Sequence, residues 1–259
     1  MIFPLGDDNS DRRTAPVVNI ALIVANVIVF MFFQRLGNDE QFTMSYAAVP
    51  AEIVSGKDII TQPHIEIERT PAGVEQVKVP GLGPTRIPIY LTLITAMFMH
   101  GGLAHIAGNM WFLWIFGDNI EDDMGHGRYL GFYLLCGILA SLAHVAVSAN
   151  GPQSEVPSLG ASGAISGVMG AYLVLHPTRR VTVMILRMIM NVPAYVAVGL
   201  WFAFQLVAGF GLLGGTATGG VAYAAHIGGF IAGAALVWIF MTGRRPEREE
   251  PWAADQRQW

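Results

Sequence analysis

The sequence predicts an all-α polytopic membrane protein with six transmembrane helices. Composition, charge placement and charge asymmetry carry that prediction. Of 259 residues, 53% are apolar and only 13% charged, against roughly a quarter charged in a soluble domain. The few charges are segregated: none lies between Ile87 and Gly117, only Glu155 between Tyr129 and Thr178, and only Arg187 between Val181 and Gly243. Such windows exceed the roughly 20 residues that a helix needs to cross a bilayer. Lys and Arg also fall unevenly between alternate links, which fixes an orientation.

The elements follow in order. Residues 1–15 form a polar tail in which Asp7, Asp8 and Asp11 precede Arg12 and Arg13, unlike the basic start of a signal peptide, so the first apolar run is read as a retained span. That span is Pro16 to Phe33. A loop from Gln34 to Pro88 carries Pro50, Pro63, Pro71, Pro80, Pro84 and Pro88 among scattered charges and is too polar to enter lipid. The second span runs from Ile89 to Gly117, with Trp111, Phe112, Trp114 and Phe116 suited to an interface. An acidic turn holding Asp118, Glu121, Asp122 and Asp123 leads to the third span, Tyr129 to Ser148. The fourth, Gly160 to Leu175, is short for a span, so its start is expected below one membrane surface under a water-filled depression. Arg179 to Met190 mixes arginines with Val, Ile, Leu and Met and reads as a helix lying in the interface or forming a cytoplasmic extension. Pro193 opens the fifth span, ending near Phe210. A Gly-rich link over 211–220 precedes the sixth, Val221 to Met241. The membrane domain is thus 16–242, and 243–259 is a second polar tail.

With the N-terminus in the cytoplasm, that side holds ten arginines, from Arg12 through Arg257, whereas the other side holds five basic residues, all in the 34–88 loop. The positive-inside rule therefore puts both termini in the cytoplasm, and a bacterial cytoplasmic membrane is expected. The net charge of −4 and the lack of a basic cluster argue against nucleic-acid binding. The single cysteine, Cys136, excludes an intramolecular disulfide or a Cys-rich metal site.

Polar side chains inside a bilayer need a partner or a job. The candidates are His100, His105, Asn109, His144, Ser162, Ser166 and His226. Ser162 lies two residues into the fourth span and His226 five into the sixth. Both enter from the outer face and sit at similar depth. Gly163, Gly167 and Gly170 on the fourth span, with Ala225, Gly229 and Gly233 on the sixth, are small-residue faces that let two membrane helices approach closely. A serine hydroxyl becomes a competent nucleophile when a neutral imidazole takes its proton, so Ser162 and His226 form a candidate pair. The spans offer no carboxylate near them, which makes the reading a dyad. His105 and Asn109, four apart on one helix face, are candidate donors to a developing oxyanion beside the Ser162 backbone N–H. His100 supports the same polar pocket, and Gly160 and Gly163 flanking Ser162 leave room for a substrate backbone.

These residues resemble the rhomboid intramembrane serine proteases. The matching strings are His100 with His105-x-x-x-Asn109, Gly160-x-Ser162-Gly163, and Ala225-His226-x-x-Gly229-x-x-x-Gly233, in the expected order across six spans. Glu121 resembles a structural glutamate of that family. The resemblance implies a six-helix rhomboid-like bundle, Ser162 as nucleophile, His226 as general base, and His105 and Asn109 as oxyanion donors. Its substrates would be transmembrane segments of other membrane proteins, cut near the outer face without cofactor or metal. Two positions depart from the pattern. Leu91 and Thr92 stand where many rhomboids carry Trp-Arg, and Ser166 stands where an aromatic often stacks on the histidine.

Other classes fit less well. No His-Glu-x-x-His string or intramembrane aspartate pair is present, and no repeat suggests a transporter. A histidine-only metal carrier lacks carboxylate or thiolate support. The strongest rival is a rhomboid-like protein that binds membrane clients without cutting them. Oligomeric state is not encoded legibly.

Overall fold

A computed structural model describes residues 2–70, 73–79, 81–151, 153–209 and 222–244. The expected Gly-rich link over 211–220 and nearly all of the C-terminal tail lie outside these described residues.

The chain is a helical bundle with two small sheets. Strand β1 (Ile2–Asp7) precedes α1 (Val17–Ile28), which continues as a π-turn over Val29–Phe33. Two short helices, α2 (Glu40–Tyr46) and α3 (Pro50–Ser55), and a hairpin of β2 (His64–Thr70) and β3 (Gly73–Val79) occupy the polar loop. A helical stretch over 89–98, with α4 (Thr92–Thr95) at its centre, leads to α5 (Leu103–Met124). Then come α6 (His126–Ser148), α7 (Ser162–Leu175), a hairpin of β4 (Arg180–Ile185) and β5 (Met188–Pro193), α8 (Ala194–Gly209) and α9 (Tyr223–Phe240).

By length and apolarity, α6 and α9 can each cross a membrane, and the 89–98 stretch with α5 makes a third candidate, bent by 82°. Helices α1, α7 and α8 are apolar but shorter. The second span is therefore not one straight helix. Its break falls at 99–102, where the consecutive Gly101 and Gly102 are poor helix formers and the His100 backbone pairs with the side chain of Gln34 instead: its N–H donates to Oε1 at 2.9 Å and its carbonyl accepts from Nε2 at 3.0 Å.

The all-α expectation needs a second correction. Residues 180–193 form the β4–β5 hairpin, not an interfacial helix, and β1 adds antiparallel to β4 in the order β1-β4-β5. Along β4, Val181 and Val183 are fully buried between partly exposed neighbours, the period-2 pattern of a half-buried strand. The N-terminal tail is thus an ordered part of the fold: Phe3 stacks on Trp111 at 5.9 Å, and the Trp111 indole N–H donates to the Pro4 carbonyl at 2.7 Å.

Helix α7 is the hub, nearly all buried and packed by α5, α6, α8 and α9. Its glycines make the α7–α9 crossing possible. A Cβ at Gly229 would collide with the Gly163 carbonyl oxygen, and one at Gly233 with that of Gly167, so only hydrogen atoms fit between the backbones. Helices α5, α7 and α9 run parallel and begin at one end of the bundle. There α6 and α8 finish.

Candidate active site

The starts of α5, α7 and α9 and the ends of α6 and α8 surround a cavity of about 910 Å³ whose walls include His105, Asn109, His144, Ser162, Gln205 and His226. Among the described residues no aspartate, glutamate, lysine or arginine lines it. Ser162 is the first residue of α7, so its backbone N–H has no acceptor within the helix. His226 lies in the first turn of α9. The tight crossing of α7 and α9 brings the two side chains together, with Ser162 Oγ 2.8 Å from His226 Nε2.

The far side of the imidazole meets α8, where the Gln205 Oε1 lies 2.8 Å from His226 Nδ1. An amide oxygen only accepts, so this bond puts the ring proton on Nδ1 and leaves Nε2 with a lone pair for the serine hydroxyl. Gln205 is 6% exposed. It is absent from the residues expected of the site, though a lone glutamine in an apolar span carries the same signal that singles out the histidines.

His105 and Asn109 line the same cavity from α5. The Gly101 N–H donates to His105 Nδ1 at 3.3 Å, which leaves the ring proton on Nε2 as a donor. Asn109 is buried and its Nδ2 has no hydrogen-bond partner among the described residues. Gly160 lies between them: its φ is +121°, and a Cβ there would come within 2.9 Å of the His105 ring and 3.6 Å of Asn109 Nδ2. Glycine both permits that backbone conformation and keeps the space open. Gly163 and Gly229 serve the helix crossing.

His100 is fully buried, meets the His105 ring edge-on at 5.2 Å, and has both ring nitrogens unpartnered among the described residues. His144 lines the cavity from α6, 3.4 Å from Ser148 Oγ. The Ser166 hydroxyl donates back to the Ser162 carbonyl at 2.7 Å. In place of an aromatic at position 166, the rings nearest His226 are Trp201 of α8, at 6.2 Å, and Tyr223 of α9, at 6.4 Å. Among the described residues no group of His, Cys, Asp or Glu is arranged to hold a metal ion.

Fold and site together define a class: an apolar helical bundle with membrane-span candidates, enclosing an uncharged pocket where an imidazole faces a serine. The rhomboid domain, as a sequence family, matches residues 89–243, which takes in every residue of this pocket. The chain belongs to the rhomboid family. It is 37% identical over 147 residues to the rhomboid protease GluP of Bacillus subtilis, covering 56% of this chain and 25% of that one. It is 30% identical over 161 residues to the mitochondrial rhomboid protein 1 of Saccharomyces cerevisiae, covering 61% and 44%. With the chloroplastic rhomboid-like protein 11 of Arabidopsis thaliana it shares 32% over 161 residues, covering 59% and 53%. These matches span from a quarter to about half of the relatives' own lengths.

Proposed function

We propose that the protein is an intramembrane serine endopeptidase that cleaves transmembrane segments of other membrane proteins near the outer membrane face, using Ser162 and His226 as a dyad. The observation that carries this is the 2.8 Å approach of Ser162 Oγ to His226 Nε2 inside a pocket that also holds an unpartnered amide donor. Ser162 Oγ attacks the scissile carbonyl carbon while its proton passes to His226 Nε2. The resulting oxyanion is met by the Ser162 N–H, His105 Nε2–H and Asn109 Nδ2–H. The imidazolium returns a proton to the leaving amine as the C–N bond breaks, and water, deprotonated by His226, hydrolyses the acyl-enzyme. Residues of low helix propensity at the cleavage site favour the reaction, because a helical peptide bond is otherwise tied into the i→i−4 ladder.

The proposal includes six spans, at 16–33, 89–117, 129–148, 160–175, 193–210 and 221–241, within a membrane domain over 16–242, with both termini in the cytoplasm of a bacterial cell. Arg12, Arg13, Arg179 and Arg244 all bond to groups at the end of the bundle opposite the pocket, which supports that orientation.

The test is labelling of detergent-solubilised protein with a fluorophosphonate, followed by cleavage of a membrane-anchored substrate. Wild type is expected to label. Ser162→Ala and His226→Ala are expected to lose both signals, with turnover down by about 10⁵-fold or more and unchanged thermal stability. Labelling that persists in Ser162→Ala refutes the assignment. A folded wild type that binds membrane clients but never labels favours the non-cutting reading.

A further inference from the structure

We infer that Gln205 is a positioning residue that completes the site as a neutral third member, a role that rests on the dyad reading above. The fold presents Gln205 from α8 to the face of His226 opposite Ser162, at 2.8 Å from Nδ1, so the glutamine, the imidazole and the serine form one hydrogen-bonded line across α8, α9 and α7. Gln205 is 6% exposed, so packing holds its side chain against the ring. With the proton held on Nδ1, the ring cannot turn its N–H toward Ser162 Oγ, a state that would leave no base for the hydroxyl.

The same bond strengthens during the reaction. When Nε2 takes the serine proton, Nδ1–H becomes part of an imidazolium and a stronger donor, while Gln205 Oε1 stays the acceptor. Stabilisation that grows toward the transition state appears in kcat more than in KM. Among the described residues no carboxylate supports the ring: the titratable groups facing it are His105 from α5, His144 from α6 and Tyr223 from α9. A neutral amide thus orients the base without the charge that a carboxylate would bring into the bilayer.

The experiment compares Gln205→Leu and Gln205→Glu with wild type and His226→Ala in cleavage of a membrane-anchored substrate, recording kcat, KM, the pH profile and thermal stability. Gln205→Leu removes the acceptor at similar volume and is expected to lower kcat by about tenfold or more, with KM within about twofold. Gln205→Glu keeps the acceptor and adds charge. It should retain turnover while the acidic limb of kcat/KM moves to higher pH, because a carboxylate at Nδ1 favours the imidazolium, which is not a base. Wild-type kcat in folded Gln205→Leu overturns the assignment, and so does an unmoved limb in Gln205→Glu. If Gln205→Leu does not fold, the limb of Gln205→Glu decides alone. Full activity in His226→Ala would instead overturn the dyad, whatever the Gln205 variants do.

Discussion

The two ends of the bundle use polar residues in opposite ways. The pocket is lined by polar side chains none of which, among the described residues, is an aspartate, glutamate, lysine or arginine, and Asn109 keeps a buried nitrogen with no hydrogen-bond partner among those residues. At the other end, charges are dense and interlocked. The carboxylate of Glu121, fully buried, accepts from the backbone N–H groups of Val18 and Asn19 at 2.9 and 2.7 Å, so a side chain of α5 caps the first turn of α1. Arg12 pairs with Asp118 at 2.8 Å, Thr14 bonds to Asp122, and His176 lies 2.6 Å from Asp123. Arg244, just after α9, donates to the Asp123 carbonyl. Stability concentrated at one end lets the other hold underused donors, a state that costs free energy unless a ligand or transition state meets it.

The largest effect on the fold is therefore expected far from the pocket. Glu121→Ala orphans the backbone N–H of buried Asn19 and that of half-buried Val18 and should destabilise the chain by about 2 kcal/mol or more, read as a fall in the thermal midpoint in detergent. A midpoint within a degree of wild type would mean that the end opposite the pocket is not where the fold is held.

The pocket should respond in the reverse sense. Asn109→Ala removes a donor that has no partner among the described residues and should leave the thermal midpoint nearly unchanged, whereas His105→Ala also removes the acceptor of the Gly101 N–H and the ring against His100 and should lower it modestly. Turnover should drop by up to about 10²–10³-fold if each donates to the oxyanion, with smaller changes in KM. Were Asn109→Ala to lose stability as Glu121→Ala does, the contrast between the two ends would collapse.

What the sequence made legible follows from the range of each signal. The pocket residues were readable because depth is inherited from helix starts: Ser162 and His226 each sit near the beginning of a short or glycine-faced helix, and the small residues beside them announce a close crossing. Glu121 could be singled out only by family resemblance, since its partners, Val18 and Asn19, lie over a hundred positions away. The β4–β5 hairpin was misread for two physical reasons. Its turn at Leu186 and Arg187 has positive φ at both residues and carries none of the Asn or Gly that normally marks such a turn. Its neighbour β1 comes from the N-terminus, beyond any local window. The broken second span was hidden likewise, since hydropathy averages over the Gly101-Gly102 pair and does not see Gln34 bonding there. Gln205, like Asn19 and Asn26 in the first span, was a lone polar residue in an apolar run and so locally visible.

The last expected effect separates the two ends by pH. Asp7 ends β1 and accepts from the Tyr172 hydroxyl and the Asn119 amide. Burial pushes its carboxyl up to about 7, with the Tyr172 hydrogen bond and the nearby Arg179 acting in the other direction and Asp118 adding to the rise. The ordinary value is near 3.8, so between about pH 4 and 7 the folded chain holds a proton that the unfolded chain has released. Stability from this group is thus fully present at low pH, declines as pH rises through that window, and levels off above about 7. Asp7→Asn should remove that slope from a plot of thermal midpoint against pH and leave the shape of the pH–activity profile, which the proposed dyad assigns to His226 at the other end, where it was. A profile that shifts with Asp7→Asn would show the two ends to be coupled through α7, which carries Ser162 at its first residue and Tyr172 near its last.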